Sequence, residues 1–351
     1  MPIFVADTNR DVAPTSTGSF GSTMHFTPAT EFPASRHIEA SGFADTEDGV
    51  RVAFYDFGGD GAPLLLVHAT GFCAAVLSPL ASALRERFHC FALDLRAHGA
   101  SGRPADGDLE WHGFARDVAA VIDTLALESP FGFGHSCGGA ALLLAEQAAH
   151  GTFEALHCYE PVVLPLDTPL DTPLDMPLDT PPAPGPGANP MSAGALRRRS
   201  SFGSREEGML NFSTKAPLNR LRPDVLASYV DNAFGPGRNG KIHLLCRRED
   251  EAAIYAQSFT HDAYQRLDEV GCFVTLSCGE QSDDFGPEVL ARLAERVVRS
   301  RVVVMPELGH FGPLEDPEAI AESMFEDGWS EAQAQLEGEQ AEGGRRAPGG
   351  D

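Results

Sequence analysis

The segment 130–148 constrains the fold of this chain more than any other part of the sequence. Residues 130–133 are apolar and predict a short strand, residues 134–138 are Gly-His-Ser-Cys-Gly, and residues 140–148 are strong helix formers. So abrupt a passage from strand to helix needs glycines, because a Cβ at Gly134 or Gly138 would collide with the facing backbone. In this context the G-x-S-x-G pattern predicts a sharp turn that holds the hydroxyl of Ser136 out of the backbone.

A serine hydroxyl is a weak nucleophile at neutral pH and needs a base within hydrogen-bond reach. The strand predicted near 302–305 is followed by a short loop that carries His310. Imidazole has an unperturbed pKa suited to taking and returning a proton at neutral pH. We therefore expect His310 to act as the base for Ser136, rather than merely to cap a loop.

A carboxylate should orient the imidazole and fix its tautomer. The strand predicted at 272–278 leads into Gly279-Glu280-Gln281-Ser282-Asp283-Asp284. We favour Asp283, because it follows this strand and gives the chain order serine, acid, histidine. Two alternatives stay open, namely Asp284 and Glu160, which lies in the strand predicted at 155–163.

Two backbone N–H groups are expected to stabilise the oxyanion that develops on the substrate. One belongs to Cys137, the residue after the serine. The other belongs to Thr70, in a loop that follows the continuously apolar strand 63–67. This chemistry needs no metal and no organic cofactor, and the His and Cys residues lack the spacing of metal ligands.

Together these segments resemble the α/β-hydrolase family over about 43–163 and 271–327. The run Asp94-Leu95-Arg96-Ala97-His98-Gly99-Ala100-Ser101-Gly102 is similar to the family's D-x-R-G-H-G-x-S turn, whose role is structural, and 309–317 resembles its histidine loop. The resemblance implies an α/β fold with a mostly parallel, doubly wound sheet and an inserted helical lid.

The sequence departs from the family pattern at three positions. Ala69 and Ala97 stand where glycine is common, so we expect both residues to have φ below zero. Ser282 occupies the position at which the family usually has its acid, one residue before Asp283. The identity of the acid therefore stays open among the three carboxylates named above.

The expected domains follow from composition and from the length between strands. They are a disordered N-terminal tail at 1–41, a hydrolase core at 42–163 and 271–327, a helical lid at 164–270 and a disordered acidic tail at 328–351. The lid begins with a Pro-Leu-Asp-Thr repeat segment (165–190), in which a proline at every fourth position forbids helix. Helices are predicted further on at about 205–212, 223–233 and 250–259.

The composition of the chain limits the classes of binding partner that we expect. The formal net charge of −25 argues against nucleic acid and anionic membranes, and no apolar run is long enough for an integral membrane segment. The seven cysteines lack C-x-x-C spacing, which favours buried thiols in a cytoplasmic compartment. The N-terminus lacks the features of a secretory signal, while import into an organelle stays open. The basic cluster 197–199 is expected to pair with nearby carboxylates.

The leading hypothesis is a serine hydrolase that cleaves an ester or similar acyl bond of a small molecule through an acyl-enzyme. Within the family, a serine nucleophile disfavours dehalogenase and epoxide hydrolase chemistry. Two alternatives stay open, namely a ligand-binding sensor with little turnover and a scaffold that has lost its acid. The sequence leaves the substrate and the oligomeric state open.

Overall fold

A central mixed sheet organises the described part of the chain. The computed structural model describes residues 32–34, 36–164, 190–282 and 285–325. Residues 165–189 of the repeat segment, the predicted acidic tail, most of the predicted N-terminal tail, and Asp283 and Asp284 lie outside these ranges.

The strands, in chain order, are β1 (Gly42–Asp45), β2 (Arg51–Gly58), β3 (Ala62–Val67), β4 (Phe88–Leu93), β5 (Phe131–His135), β6 (Ala155–Tyr159), β7 (Ser201–Phe202), β8 (Phe234–Pro236), β9 (Ile242–Leu244), β10 (Phe273–Gly279) and β11 (Ser300–Met305). The helices are α1 (Ser78–Leu84), α2 (Trp111–Leu125), α3 (Cys137–Ala148), α4 (Pro190–Arg197), α5 (Arg205–Ser213), α6 (Pro223–Asn232), α7 (Arg248–Ala256), α8 (Pro287–Ala294), α9 (Gly312–Glu315) and α10 (Pro317–Ser323).

The central sheet has the strand order β1-β2-β4-β3-β5-β6-β10-β11 among the described residues. Strand β2 pairs antiparallel with β1 and β4, and the other neighbours pair in parallel. The sheet is therefore mostly parallel, which confirms the predicted fold class. The strand β2 alternates apolar and polar residues in the way that is typical of an edge strand, but β1 pairs with it on its outer side.

Alternate residues of β3 enter two different hydrophobic cores. Leu64 and Leu66 pack on one face of the sheet, while Leu65 and Val67 pack on the other, and all four are fully buried. A strand covered on both faces needs apolar side chains at every position. This explains the unbroken apolar run in the sequence and identifies the sheet as doubly wound.

The residues between β6 and β10 form an insertion on the sheet, of which 160–164 and 190–272 are described. Its helices α5, α6 and α7 lie where helices are predicted. A small antiparallel sheet of order β7-β9-β8 is an addition that the sequence analysis missed, because strands of two or three residues carry no periodic signal. Ser228 on α6 donates a hydrogen bond to the Ala75 carbonyl at 2.7 Å, which fixes the insertion on the loop after β3.

The stretch 36–41 differs from the disordered tail predicted for 1–41. The N–H of Ile38 donates to the side-chain oxygen of Asn232 at 2.7 Å, and Asn232 donates back to the carbonyl of Arg36 at 3.1 Å. Asp231 accepts the N–H of Arg36 at 2.8 Å. Because α6 supplies these partners, the chain before β1 lies extended along the insertion.

Ala97 departs from the conformation that the sequence analysis requires. Its φ is 65°, a left-handed value that suits glycine, whereas Ala69 is not among the described residues with positive φ. The N–H of Ala97 donates to the carbonyl of Gly102 at 2.8 Å, which closes the turn around it. The hydrogen bonds of the turn therefore impose a strained conformation on the alanine.

Replacement of Ala97 by glycine should stabilise the protein. Relief of the left-handed strain exceeds the added entropy of the unfolded chain, so we expect a gain of about 0.5–1 kcal/mol in the free energy of unfolding. Urea denaturation measures this change. Ala119→Gly, in the exposed middle of α2, is the control and should lose about 1 kcal/mol. A loss at both positions would contradict the strain at Ala97.

Candidate active site

Ser136 lies at the junction of β5 and α3 in a strained backbone conformation. Its φ of 56° and ψ of −114° fall outside the regions that ordinary residues occupy. A Cβ on Gly134 would lie 2.6 Å from backbone atoms of Gly138, and one on Gly138 would overlap the Val67 carbonyl. The geometry confirms that the two glycines permit the turn.

Backbone hydrogen bonds hold the turn in place. The N–H of Ser136 donates to the Tyr159 carbonyl at 2.9 Å, and its own carbonyl accepts from Gly139 and Ala140 at 3.1 and 3.2 Å. The Ser136 hydroxyl, by contrast, has no hydrogen-bond partner among the described residues, and the residue is 8% exposed. The fold thus fixes the backbone of Ser136, while its hydroxyl makes no hydrogen bond within the described part of the chain.

His310 lies in the loop between β11 and α9, and two buried side chains hold its backbone. His135, the residue before Ser136, contacts the His310 carbonyl through Nε2 at 2.8 Å, and the two rings are 5.2 Å apart. The hydroxyl of Tyr159 donates to the Gly309 carbonyl at 2.7 Å. These contacts bring the histidine loop against the turn that carries Ser136.

His135 and Tyr159 are contributors that the sequence analysis missed. Burial lowers the pKa of His135 well below its usual value, and the neighbouring His310 adds to the shift. His135 is therefore neutral, and the proton on its Nε2 donates to the His310 carbonyl. The signal available in the sequence was a histidine inside the G-x-S-x-G pattern itself.

Glu160 supplies the carboxylate that contacts the His310 ring. Its Oε2 lies 2.6 Å from His310 Nδ1, and the Glu160 side chain is fully buried. The same Oε2 accepts the Ser282 hydroxyl at 2.7 Å, while Oε1 accepts the N–H of Gly279 at 2.9 Å. Three donors thus fix the carboxylate, and His310 Nδ1 is the one that comes from the loop between β11 and α9.

The sequence favours Asp283 for this position, with Asp284 and Glu160 as alternatives, and the structure brings Glu160 to His310. Asp283 and Asp284 lie outside the described residues. The physical reason is that β6 and β10 are parallel neighbours, so their carboxyl ends lie side by side at one edge of the sheet. A glutamate after β6 can therefore reach the place that an acid after β10 would occupy.

The side chains of Cys137 and Thr70, the two residues predicted to supply the oxyanion donors, contact each other. Burial raises the pKa of the Cys137 thiol to about 12, against the opposing influence of the adjacent Thr70 side chain. Cys137 is the first residue of α3, where backbone N–H groups have no intrahelical partner. The N–H of Thr70 has no acceptor among the described residues, whereas the next N–H, of Gly71, donates to His98 Nε2 at 3.0 Å.

The turn after β4 supports the loop 68–72 from the sheet side. His98 receives the N–H of Gly71, and His68 Nε2 receives the N–H of Leu95 at 3.0 Å. Burial lowers the pKa of His98 to about 3 and that of His68 to about 4. Both rings are therefore neutral, and this confirms the structural role expected for the Asp94–Gly102 region.

The cysteines lie in the interior of the described part of the chain. All seven cysteines are buried and free. Across the described ranges, no group of three His, Cys, Asp or Glu side chains is arranged to hold a metal ion. No helix in the same ranges is long and apolar enough to cross a membrane.

A strand-turn-helix serine, a histidine loop and a mostly parallel sheet define a hydrolase-type α/β architecture. The sequence profile of the Alpha/beta hydrolase family matches residues 64–323. The chain belongs to the α/β-hydrolase family.

Two solved structures show the same fold. One is E-2-(acetamidomethylene)succinate hydrolase, with a TM-score of 0.63 and 20% identity over 80% of this chain and 97% of that chain. The other is a peroxisomal α/β-hydrolase of Saccharomyces cerevisiae, with a TM-score of 0.64 and 16% identity over 86% and 87% of the two chains.

Curated relatives match over shorter segments. A 2-(acetamidomethylene)succinate hydrolase of Mesorhizobium japonicum is 39% identical over 23% of this chain and 28% of its own length. A bifunctional esterase/perhydrolase of Acinetobacter calcoaceticus is 36% identical over 28% and 36%. Protein phosphatase methylesterase 1 of Rattus norvegicus is 33% identical over 34% and 32%. The chain thus matches about a third of the length of each of these relatives.

The buried histidines behind the loop should make stability depend on pH. In the unfolded chain a histidine binds a proton near pH 6.5, while His98 in the folded state stays neutral down to about pH 3. The unfolded state therefore binds more protons in this window, and stability is lost as pH falls. His98→Gln should reduce the slope of unfolding free energy against pH by up to about 1.4 kcal/mol per pH unit.

Urea denaturation between about pH 4.5 and 6 measures this slope, above the range in which most carboxylates titrate. His150→Gln, at the exposed position after α3, is the matched control and should keep the wild-type slope. An unchanged slope in His98→Gln would show that His98 takes up its proton in the folded state.

Proposed function

We propose that this protein is a serine hydrolase that cleaves an ester or related acyl bond of a small molecule through an acyl-enzyme intermediate. The observation that carries the proposal is the contact of 2.6 Å between the buried Glu160 carboxylate and His310 Nδ1, beside the turn that presents Ser136. A carboxylate so placed fixes the tautomer in which Nε2 can accept a proton. Membership of the α/β-hydrolase family supports the same reaction class.

In the proposed mechanism the Ser136 hydroxyl attacks the acyl carbonyl and His310 takes its proton. Glu160 stabilises the imidazolium that forms, since it remains an acceptor throughout. The N–H groups of Thr70 and Cys137 donate to the oxyanion. His310 then returns the proton to the leaving group, and water that the same imidazole activates cleaves the acyl-enzyme.

The residues around the site favour a partly apolar acyl group. Phe72 packs against Phe311 with ring centroids 5.7 Å apart, and Phe285 lies 6.1 Å from the His310 ring. The names of the curated relatives describe an esterase, a methylesterase and a hydrolase of an acetamido compound. Because these relatives match over short segments, they support the acyl bond and leave its substituents open. We propose that the insertion acts as a lid over these aromatic side chains and over Ser136.

Ser136→Ala should abolish turnover of a p-nitrophenyl ester, because the variant has no nucleophile to form an acyl-enzyme. A fluorophosphonate probe should label the wild-type protein at Ser136 and leave the variant unlabelled. Mass spectrometry of the labelled peptide identifies the residue. Undiminished ester hydrolysis by Ser136→Ala would refute the proposal, and tight ligand binding without labelling would favour a sensor on the same fold.

Glu160→Gln should lower kcat by about 10³–10⁴, because an amide no longer holds His310 in the tautomer that accepts the proton. Asp283→Asn is the matched variant for the acid that the sequence favours, and it should keep kcat within about twofold of the wild type. Steady-state hydrolysis of the same ester compares them. The reverse pattern, with loss of activity in Asp283→Asn, would assign the acid to the loop after β10.

A further inference from the structure

A buried ion pair of the insertion lies on the loop that carries Thr70. Arg198 follows α4 and Glu251 belongs to α7, and Arg198 Nη1 donates to Glu251 Oε2 at 2.5 Å. Their side chains are 5% and 1% exposed. Arg198 is the middle residue of the basic cluster predicted to pair with carboxylates, but its burial against the core domain goes beyond that prediction.

The ion pair contacts Gly71. A Cβ on Gly71 would lie 2.9 Å from Glu251 Oε1 and 3.1 Å from Arg198 Nη1, so both charged groups pack on the bare Cα of this glycine. On the opposite side, the N–H of Gly71 donates to His98 at 3.0 Å. Gly71 follows Thr70 directly, and it is therefore held between the turn after β4 and the insertion.

A second contact joins the pair to the next residue of the loop. Arg198 Nη2 donates to the hydroxyl of Tyr229 at 2.5 Å, and the Tyr229 ring lies 5.1 Å from the ring of Phe72. Phe72 in turn packs against Phe311, the neighbour of His310. One guanidinium thus connects α7 and α6 of the insertion to both residues that follow Thr70.

The desolvation cost of the buried Arg198–Glu251 ion pair indicates that the pair has a role other than stabilising the fold. Two charges removed from water incur a desolvation cost that good geometry offsets only when all their polar atoms have partners. Glu251 Oε1 is buried and has no hydrogen-bond partner among the described residues. Apolar side chains of similar volume would stabilise such a contact at least as well. What the ion pair adds is a rigid, directional contact with Gly71.

We infer that the Arg198–Glu251 ion pair is a positioning element for the oxyanion loop, and that it fixes Gly71 and thereby the direction of the Thr70 N–H. The inference rests on the proposed function, since it requires this N–H to donate to an oxyanion. If the ion pair has this role, the rate of the chemical step depends on the contact between the insertion and Gly71. On this inference, substrate contacts away from the oxyanion do not depend on the pair.

The test compares Glu251→Gln and Arg198→Lys with a control pair in the same insertion. Arg205 and Asp231 form a second, largely buried ion pair, with side chains 18% and 2% exposed, which contacts the segment before β1. Asp231→Asn removes that pair without touching Gly71. With p-nitrophenyl butyrate, Glu251→Gln and Arg198→Lys should lower kcat by about tenfold or more and keep KM within about twofold. Asp231→Asn should keep both constants.

A trifluoromethyl ketone with the same acyl chain gives a second readout, because its adduct with Ser136 carries an oxyanion. Its affinity should fall in Glu251→Gln and Arg198→Lys by the factor by which kcat falls, since both report stabilisation of the oxyanion. A residue that only supported the fold would not produce this parallel. Tyr229→Phe, which removes one hydroxyl, should give the same effect at about severalfold and serves if the charge variants do not fold.

Folded variants with wild-type kcat and ketone affinity would overturn the positioning role, and so would an equal loss of kcat in Asp231→Asn. Thermal unfolding establishes which variants are folded. Fluorophosphonate labelling of the wild type distinguishes failure of the positioning role from failure of the proposed function. Labelling at Ser136 together with unchanged variant kinetics contradicts the positioning role alone, whereas a wild type that is not labelled contradicts the proposed function and this inference with it.

Discussion

The buried carboxylate of Glu160 is the interaction on which the rest of the site depends. It accepts hydrogen bonds from Gly279 and Ser282 at the end of β10 and from His310, so it joins the end of β6 to two segments that are distant in the chain. A fully buried charge is tolerated only where donors surround it. These donors are present because β6 and β10 are parallel neighbours whose ends meet at one edge. The sheet topology therefore determines where the Glu160 carboxylate lies, and the carboxylate in turn determines the orientation of the His310 ring.

The other parts of the candidate site also lie at this edge of the sheet. β3 leads into the loop with Thr70, β5 leads into Ser136, and β11 leads into His310. Neutral, buried polar side chains contact two of these loops: His98 accepts the N–H of Gly71, and His135 and Tyr159 contact the carbonyls of His310 and Gly309. The Arg220–Glu315 ion pair also contacts the histidine loop, at the Glu307 carbonyl and the Gly309 N–H. The neutral contacts are insensitive to salt, because they involve no net charge. Both loops therefore have backbone positions that the surrounding side chains fix.

Local signals in the sequence were enough for the fold and for the elements that bear the site. The turn at Ser136 was predictable, because its glycines and the flanking strand and helix all lie within one segment. The carboxylate that contacts His310 was not, because the contact with Glu160 depends on which strands are neighbours, and that is decided by contacts across the sheet. Ala97 shows the same limit: the side chain predicts negative φ, whereas the hydrogen bond from its N–H to Gly102 imposes the opposite sign.

The insertion illustrates how function in this fold can depend on residues far from the nucleophile in sequence. Its helices α5, α6 and α7 were predictable from the sequence, but α4 was not, and the sequence gives no sign that Arg198 leaves solvent and meets Glu251 on the Cα of Gly71. Gly71 must then satisfy two demands at once, since its φ of 81° suits the loop and its missing Cβ admits the ion pair. A side chain there would separate the insertion from the loop. The proposed lid and the proposed oxyanion donor therefore constrain each other through a single glycine.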